Sequence, residues 1–303
     1  MELIKVGEKT YYIKNPTNIG IYKVDDNNVY LIDSGNSKDA GKKILKIINE
    51  QGWNVKGIIN THSHADRIGG NKLIEDRTNC DVYASNIEQC FVKYPVLEPA
   101  LLYGGCPFKD LTGKFLQALK SNAKNIEESN ICGIEYIPLK GHSINMIGVK
   151  TSDDIIFLGD SLFSKDTINK YHVFFIYDVK EYLNTLSYLK TLKCKLFIPS
   201  HCEATNNIDE LIELNKNKID EILNLIYDYC KNNVTFEEIL KYIFDKYSLN
   251  MDAYQYVLVG STIKSYLSYL YDENKITYEF IDNKMIWKQK KEDSYNYENS
   301  NNV

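Results

Sequence analysis

Two histidines and a carboxylate crowd into five residues of this chain, His62-Ser63-His64-Ala65-Asp66, directly after the apolar run Gly57-Ile58-Ile59-Asn60. Buried imidazoles and carboxylates are costly unless they are paired or bind a metal. A strand that ends in such a cluster therefore calls for a divalent ion, with ligand types that suit zinc or non-haem iron. Alternation places i and i+2 on one face, so His62 and His64 converge if the strand is just ending. Asp66 is close but aimed differently, which suits two neighbouring metal positions better than one crowded site.

The chain has five histidines, and two others close apolar runs: His142 in Leu139-Lys140-Gly141-His142-Ser143 and His201 in Phe197-Ile198-Pro199-Ser200-His201. Asp160 follows the buried run Ile155 to Leu158. Taken singly, a histidine after a strand is more often hydrogen-bonded than ligating, so residues 62–66 carry the metal reading. His172 has no such company and is read as a non-ligand. Cys202 is expected to face away.

The pattern of the first 207 residues mixes strands and helices. Strands are expected at 11–13, 19–24, 29–33, 55–60, 81–84, 134–138, 146–150, 155–158 and 196–198, with helices at 37–51, 71–77 and 178–192. Residues 88–120 lack strand alternation and hold Pro95, Pro99, Gly104, Gly105 and Pro107, as a functional loop or helical insertion does. Tyr94, Tyr103, Lys109 and Lys114 are its polar candidates for a substrate wall, and Lys170 is a further substrate-binding candidate. A connecting helix is expected over 208–233. Helices at 235–247 and 252–271 and a hairpin turning at Asp282-Asn283 then outline a winged-helix-like module over 234–290. The polar, asparagine-rich tail 291–303 reads as disordered.

Charge limits the partners. The 303 residues carry a formal charge of −5, and residues 234–290 hold seven lysines against eight acids, a net of −1. A DNA-reading helix needs phosphate-neutralising cations around it, so no nucleic acid is expected, and packing or homodimerisation is the reading for the module. Residues 1–12 have no signal-peptide pattern and no apolar stretch reaches membrane-spanning length. The seven cysteines form no Cys-x-x-Cys pair, which favours a reducing cytoplasm over a disulfide framework.

His62-Ser63-His64-Ala65-Asp66 with Gly69-Gly70 after it, Leu31-Ile32-Asp33-Ser34-Gly35 before it, and then Gly141-His142-Ser143, Gly159-Asp160 and His201 resemble the five motifs of the metallo-β-lactamase-fold superfamily. The resemblance covers roughly residues 10–205. It implies an α/β fold, an αββα sandwich with a metal site along one edge, and some members carry a C-terminal winged helix. It also implies that His62, His64 and His142 hold a first metal, that Asp66 and His201 hold a second, and that Asp160 bridges or serves the second. Arg67 departs from the pattern, since most hydrolytic members have a second-site histidine there. The first subclass of true metallo-β-lactamases shares His-x-His-x-Asp-Arg, but has a cysteine where this chain has Asp160 and a lysine where it has Phe163. We expect Arg67 to turn away and pair with a structural carboxylate such as Asp33. The alternative leaves it beside the site, weakening a second dication.

The resemblance implies metal-assisted hydrolysis of a small ester, thioester or lactam by one or two zinc ions, through a metal-bound hydroxide that Asp66 orients or deprotonates. Four other readings stay open. An iron oxidoreductase of the sulfur-dioxygenase type would use His62, His142 and Asp160 as a two-histidine, one-carboxylate triad. A nuclease is disfavoured by charge, and a true β-lactamase by the lack of an export signal. A relative that binds metal without catalysis would account for Arg67.

Overall fold

Side-chain alternation along the buried strands sets the layering. The computed structural model describes residues 1–290; the tail read above as disordered lies outside them. A seven-stranded sheet runs in chain order. Its first four strands are antiparallel: β1 (Glu2–Lys5), β2 (Thr10–Lys14), β3 (Ile19–Lys23) and β4 (Asn28–Ile32). Then β5 (Asn54–Ile59), β6 (Asp81–Ala84) and β7 (Ala123–Asn125) join in parallel. Parallel pairs need crossovers. They are supplied by α1 (Lys38–Glu50), by α2 (Ala65–Ile68) with α3 (Asn71–Thr78), and by α4 (Glu88–Lys93) with α5 (Leu97–Tyr103). The side chain of Ser37 starts α1 by accepting from the Ala40 amide, the usual role of serine at that position.

A second sheet holds β8 (Ile134–Pro138), β9 (Ile147–Thr151), β10 (Ile155–Phe163) and β11 (Leu196–His201). β8, β9 and β10 are antiparallel, and β11 lies parallel to β10 after α6 (Lys165–Tyr171) and α7 (Val179–Leu189). Leu31 and Ile58 of the first sheet pack with Ile44, Ile48 and Ile74 of its helices, while Ile32 and Ile59 cluster with Val149, Phe157 and Ile198 of the second sheet. On β10, Ile155 and Phe157 join that central layer, and Ile156 and Leu158 join Tyr182 and Leu186 of α7. All nine residues of β10 are buried, as a strand covered on both faces requires. The result is the expected αββα sandwich. Short elements at β1, β7 and α6 add to those read from the sequence.

The C-terminal part is helical and strand-bearing: α8 (Asp209–Tyr229), α9 (Phe236–Lys246), α10 (Ala253–Asp272) and the hairpin β12 (Ile276–Ile281) and β13 (Lys284–Gln289). Asp282 and Asn283 take the positive φ values, 48° and 61°, that a two-residue hairpin turn asks for. A reciprocal cap between Thr235 and Glu238 starts α9, as the capping-box pattern does. One buried cluster runs from Leu158 and Leu186 through Ile212 and Ile219 of α8 to Ile243, Ile263, Tyr266 and Ile276. The helices beyond 208 thus continue the core of the second sheet. No helix among the described residues is long and apolar enough to cross a membrane.

The shared core makes Ile263→Ala costly, by about 2–5 kcal/mol, as measured by urea denaturation. Trp53 lies in the core of the first sheet and Trp287 in the hairpin, so Trp53→Phe and Trp287→Phe leave one reporter at each end. Their fluorescence transitions should coincide; two separate midpoints would show that the C-terminal part unfolds on its own.

Candidate metal centre

β5 ends at Ile59, and His62 and His64 lie in the loop that enters α2, with His64 in extended conformation at the helix start. The two rings therefore meet through a loop and not through strand alternation, which corrects the geometry expected from the sequence. They stand edge to face at 4.6 Å. His142 follows Gly141, whose φ is +112° and where an added Cβ would meet the Tyr182 backbone nitrogen at 2.2 Å; only glycine fits there. The His142 ring lies 4.9 Å from His62 and 4.8 Å from His64.

Hydrogen-bond partners assign the tautomers. His142 Nδ1 donates to the Phe175 carbonyl at 2.9 Å, which leaves Nε2 as a lone pair. That Nε2 is 3.0 Å from His64 Nδ1 and 3.4 Å from Asp160 Oδ2. His64 Nε2 faces Glu98 Oε1 at 3.5 Å, so its proton belongs on that side and its Nδ1 lone pair points inward. His62 Nδ1 meets Thr61 Oγ1 at 3.1 Å, and its buried Nε2 has no hydrogen-bond partner among the described residues. Burial holds His62 well below the usual imidazole range and brings His142 down to about 3, so both are neutral near pH 7. Three inward nitrogens within 4.8 Å of one another, one of them orphaned, fit a divalent metal.

Asp66, Asp160 and His201 form a second group with metal-ligand spacing. Asp160 lies inside β10, and not after it, where pairing with β11 slips on either side of Gly159; such irregularities re-aim side chains. Arg67 stands at the centre of this group. Its fully buried guanidinium places Nη2 2.5 Å from Asp160 Oδ1, 2.7 Å from His201 Nε2 and 3.2 Å from Asp66 Oδ2. Burial works against the Asp160 charge, but the Arg67 guanidinium holds its carboxyl well below the ordinary range. Asp33 instead accepts from the Thr61 amide and hydroxyl, at 2.8 Å each. The expected Arg67–Asp33 pairing is therefore wrong: Thr61 takes both Asp33 oxygens, and Arg67 turns into the site.

Residues 13–201 match the family model described as Metallo-beta-lactamase superfamily. The chain belongs to this superfamily. Among solved structures, a beta-lactamase domain protein from Burkholderia ambifaria aligns with a TM-score of 0.74 at 15% identity, over 95% of this chain and 94% of that one. A metallo-beta-lactamase family protein from Thermus thermophilus aligns with a TM-score of 0.71 at 17% identity, over 93% and 99%. These two likenesses show the fold alone. Among curated proteins, the chain is similar to a hydroxyacylglutathione hydrolase from Prochlorococcus marinus strain MIT 9312, 28% identical over 156 residues, 48% of this chain and 54% of the relative. A second, from strain MIT 9301, is 28% identical over 146 residues, 46% and 48%. The chain spans about half the length of the curated relatives it matches.

Around this metallo-β-lactamase-type centre stand residues that the sequence pattern did not single out. Glu88 is a buried carboxylate that accepts from the Ser63 amide at 2.9 Å and hydroxyl at 2.5 Å, and from the Ser143 hydroxyl at 2.7 Å and the Asn145 amide at 2.9 Å. It thereby ties the loop of His62 and His64 to the loop of His142. Glu98 backs His64, and burial raises its carboxyl pKa against the pull of that histidine. A pocket beside His64 and Glu98 is walled by Phe91, Leu101, Ile144 and Phe175. The insertion does supply part of this wall, with Glu88 and Phe91 from α4 and Glu98 and Leu101 from α5. Tyr94 is exposed, Tyr103 packs edge-on against Phe108 and faces a separate hollow with Tyr256 and Lys264, and Lys170 lies over the Tyr171 ring. None of these three lines the pocket. His172 stacks on Tyr247, and burial pushes the Cys202 thiol up to about 12, so a thiolate is disfavoured there.

Glu88→Gln sets an amide against four donors. It should cost about 1–3 kcal/mol in urea denaturation and weaken metal affinity by about 10–100-fold, read by competition with a chromophoric chelator. Unchanged metal affinity would show that the two loops hold their places without it.

Proposed function

We propose that the protein is a zinc-dependent hydrolase of a small ester or thioester. The observation that carries this reading is the convergence of His62 Nε2, His64 Nδ1 and His142 Nε2 beside an apolar pocket. Three imidazole ligands favour zinc over harder ions. A zinc ion held there supplies a Lewis acid and lowers the pKa of a bound water to about 7. The remaining chemistry belongs to the chain. Asp66, half-exposed, is the carboxylate with access to solvent, and Asp160, deep in the site, turns Oδ2 towards His62 and His142 at 3.7 and 3.4 Å. Asp66 is thus the group able to take a proton from an attacking water, with the Arg67 guanidinium beside it at 3.2 Å.

The apolar side chains of Phe91, Leu101, Ile144 and Phe175 exclude water from the side of the site next to His64. The two curated relatives are named for hydrolysis of an acylated glutathione, a thioester, and this favours a thioester over a lactam. With three histidines grouped, the two-histidine, one-carboxylate iron arrangement is the weaker reading.

The test combines metal analysis of protein purified without added metal with a panel of a thioester, a carboxylic ester, a lactam, a phosphodiester and a persulfide. Zinc and turnover of the thioester or ester are expected. Iron without zinc, together with persulfide oxidation, would overturn the proposal. His62→Ala should abolish metal retention on gel filtration. Asp66→Asn should lower kcat by about 10²–10⁴-fold with a smaller change in KM, and full activity in that variant would sink the proton-accepting role.

A further inference from the structure

We infer that the guanidinium of Arg67 occupies the place of a second metal ion, so that the protein binds one divalent metal at His62, His64 and His142 and uses Arg67 as its fixed second cation. The inference rests on the metal centre proposed above and sets its stoichiometry.

The three ligand atoms of the second group converge on one nitrogen. Arg67 Nη2 lies 2.5, 2.7 and 3.2 Å from Asp160 Oδ1, His201 Nε2 and Asp66 Oδ2. A zinc ion bound by those atoms would sit about 2.0–2.2 Å from each, in the volume that Nη2 fills. The tautomer of His201 agrees: Nδ1 faces the Pro16 carbonyl at 3.3 Å and donates to it, leaving Nε2 to accept from the guanidinium. All the side-chain hydrogen bonds of Arg67 among the described residues go through Nη2, so the contacts that fix its position are those a metal would make.

Arg67 is also held against swinging out. Its backbone carbonyl accepts from the Ser34 amide at 2.8 Å and hydroxyl at 3.0 Å, and its amide donates to the His64 carbonyl at 2.9 Å. The Ser34 hydroxyl in turn accepts from the Gly70 amide at 3.1 Å. The side chain is the largest of the fully buried ones, and removing its charge would leave the Asp160 carboxylate buried without its cation, which is strongly unfavourable. A dication placed beside a guanidinium that cannot leave would meet repulsion unscreened by water. Asp160 is then shared between two cations, with Oδ1 on Arg67 and Oδ2 towards His62 and His142.

The test is metal stoichiometry. Wild-type protein and Arg67→His are loaded with excess zinc, desalted and analysed by mass spectrometry of metal per chain. About one equivalent is expected in the wild type and about two in Arg67→His, whose imidazole adds a second-site ligand. Asp66→Asn and His201→Ala, made in the wild-type background, should both stay at about one, and they keep the test decisive if Arg67→His does not fold. Two equivalents in the wild type, falling to one in either of those variants, would overturn the inference and leave the hydrolase proposal standing. One equivalent in a folded Arg67→His would also overturn it. Retention of no zinc by the wild type would instead refute the metal centre itself.

Discussion

The carboxylate of Asp160 is the charge on which the site turns. It is buried, and a buried carboxylate must be compensated. Arg67 compensates one oxygen, while the other stays directed at the histidines. The bulged stretch of β10 around Gly159 allows a strand buried on both faces to present this acid at all. Breaking such a pair from one side leaves an uncompensated charge and costs about 3–5 kcal/mol. That cost joins the geometry of α2, where Arg67 sits, to the geometry of β10.

Around that charge, the histidines are oriented by groups that are not ligands. Phe175, Thr61 and Glu98 each face the outward nitrogen of one ring. Glu88 then locks the backbone of the two histidine loops together with its four accepted hydrogen bonds. Metal sites depend on such outer partners for ligand orientation. A loop cannot hold three nitrogens in register by its own stiffness, because each ordered residue costs about 1–2 kcal/mol of backbone entropy. Here the cost is offset by buried carboxylates that accept from backbone amides.

The layering and the residues that converge at the site were legible in the sequence, because they rest on local pattern. Apolar runs ending in His62, His142 and His201 announce buried strands and the chemistry at their ends. The parts that were not legible depend on tertiary burial. Glu88 and Glu98 look like surface acids on short helical stretches, and only the packed fold shows that they lie inside. An arginine in a core needs a carboxylate, and the sequence offers Arg67 more than one, Asp33 among them. The structure decides between them, since Thr61 already occupies Asp33. Tyr94 and Tyr103 stand out as polar groups in an irregular insertion, and Lys170 as a cation beyond it, yet the insertion turns Glu88, Phe91, Glu98 and Leu101 to the pocket instead.

The C-terminal helices belong to this argument and are not an independent addition. The Thr262 hydroxyl of α10 accepts from the Ile176 amide at 3.3 Å, and the Ser265 hydroxyl donates to the Tyr177 carbonyl at 2.6 Å. These two bonds fasten the segment that carries Phe175, whose carbonyl accepts from His142 and whose ring packs against His64 and His142. An element more than a hundred residues after the histidine loop thereby supports the nitrogen that faces the metal position. Its packing ties the C-terminal part to the site: α10 braces the segment that orients His142.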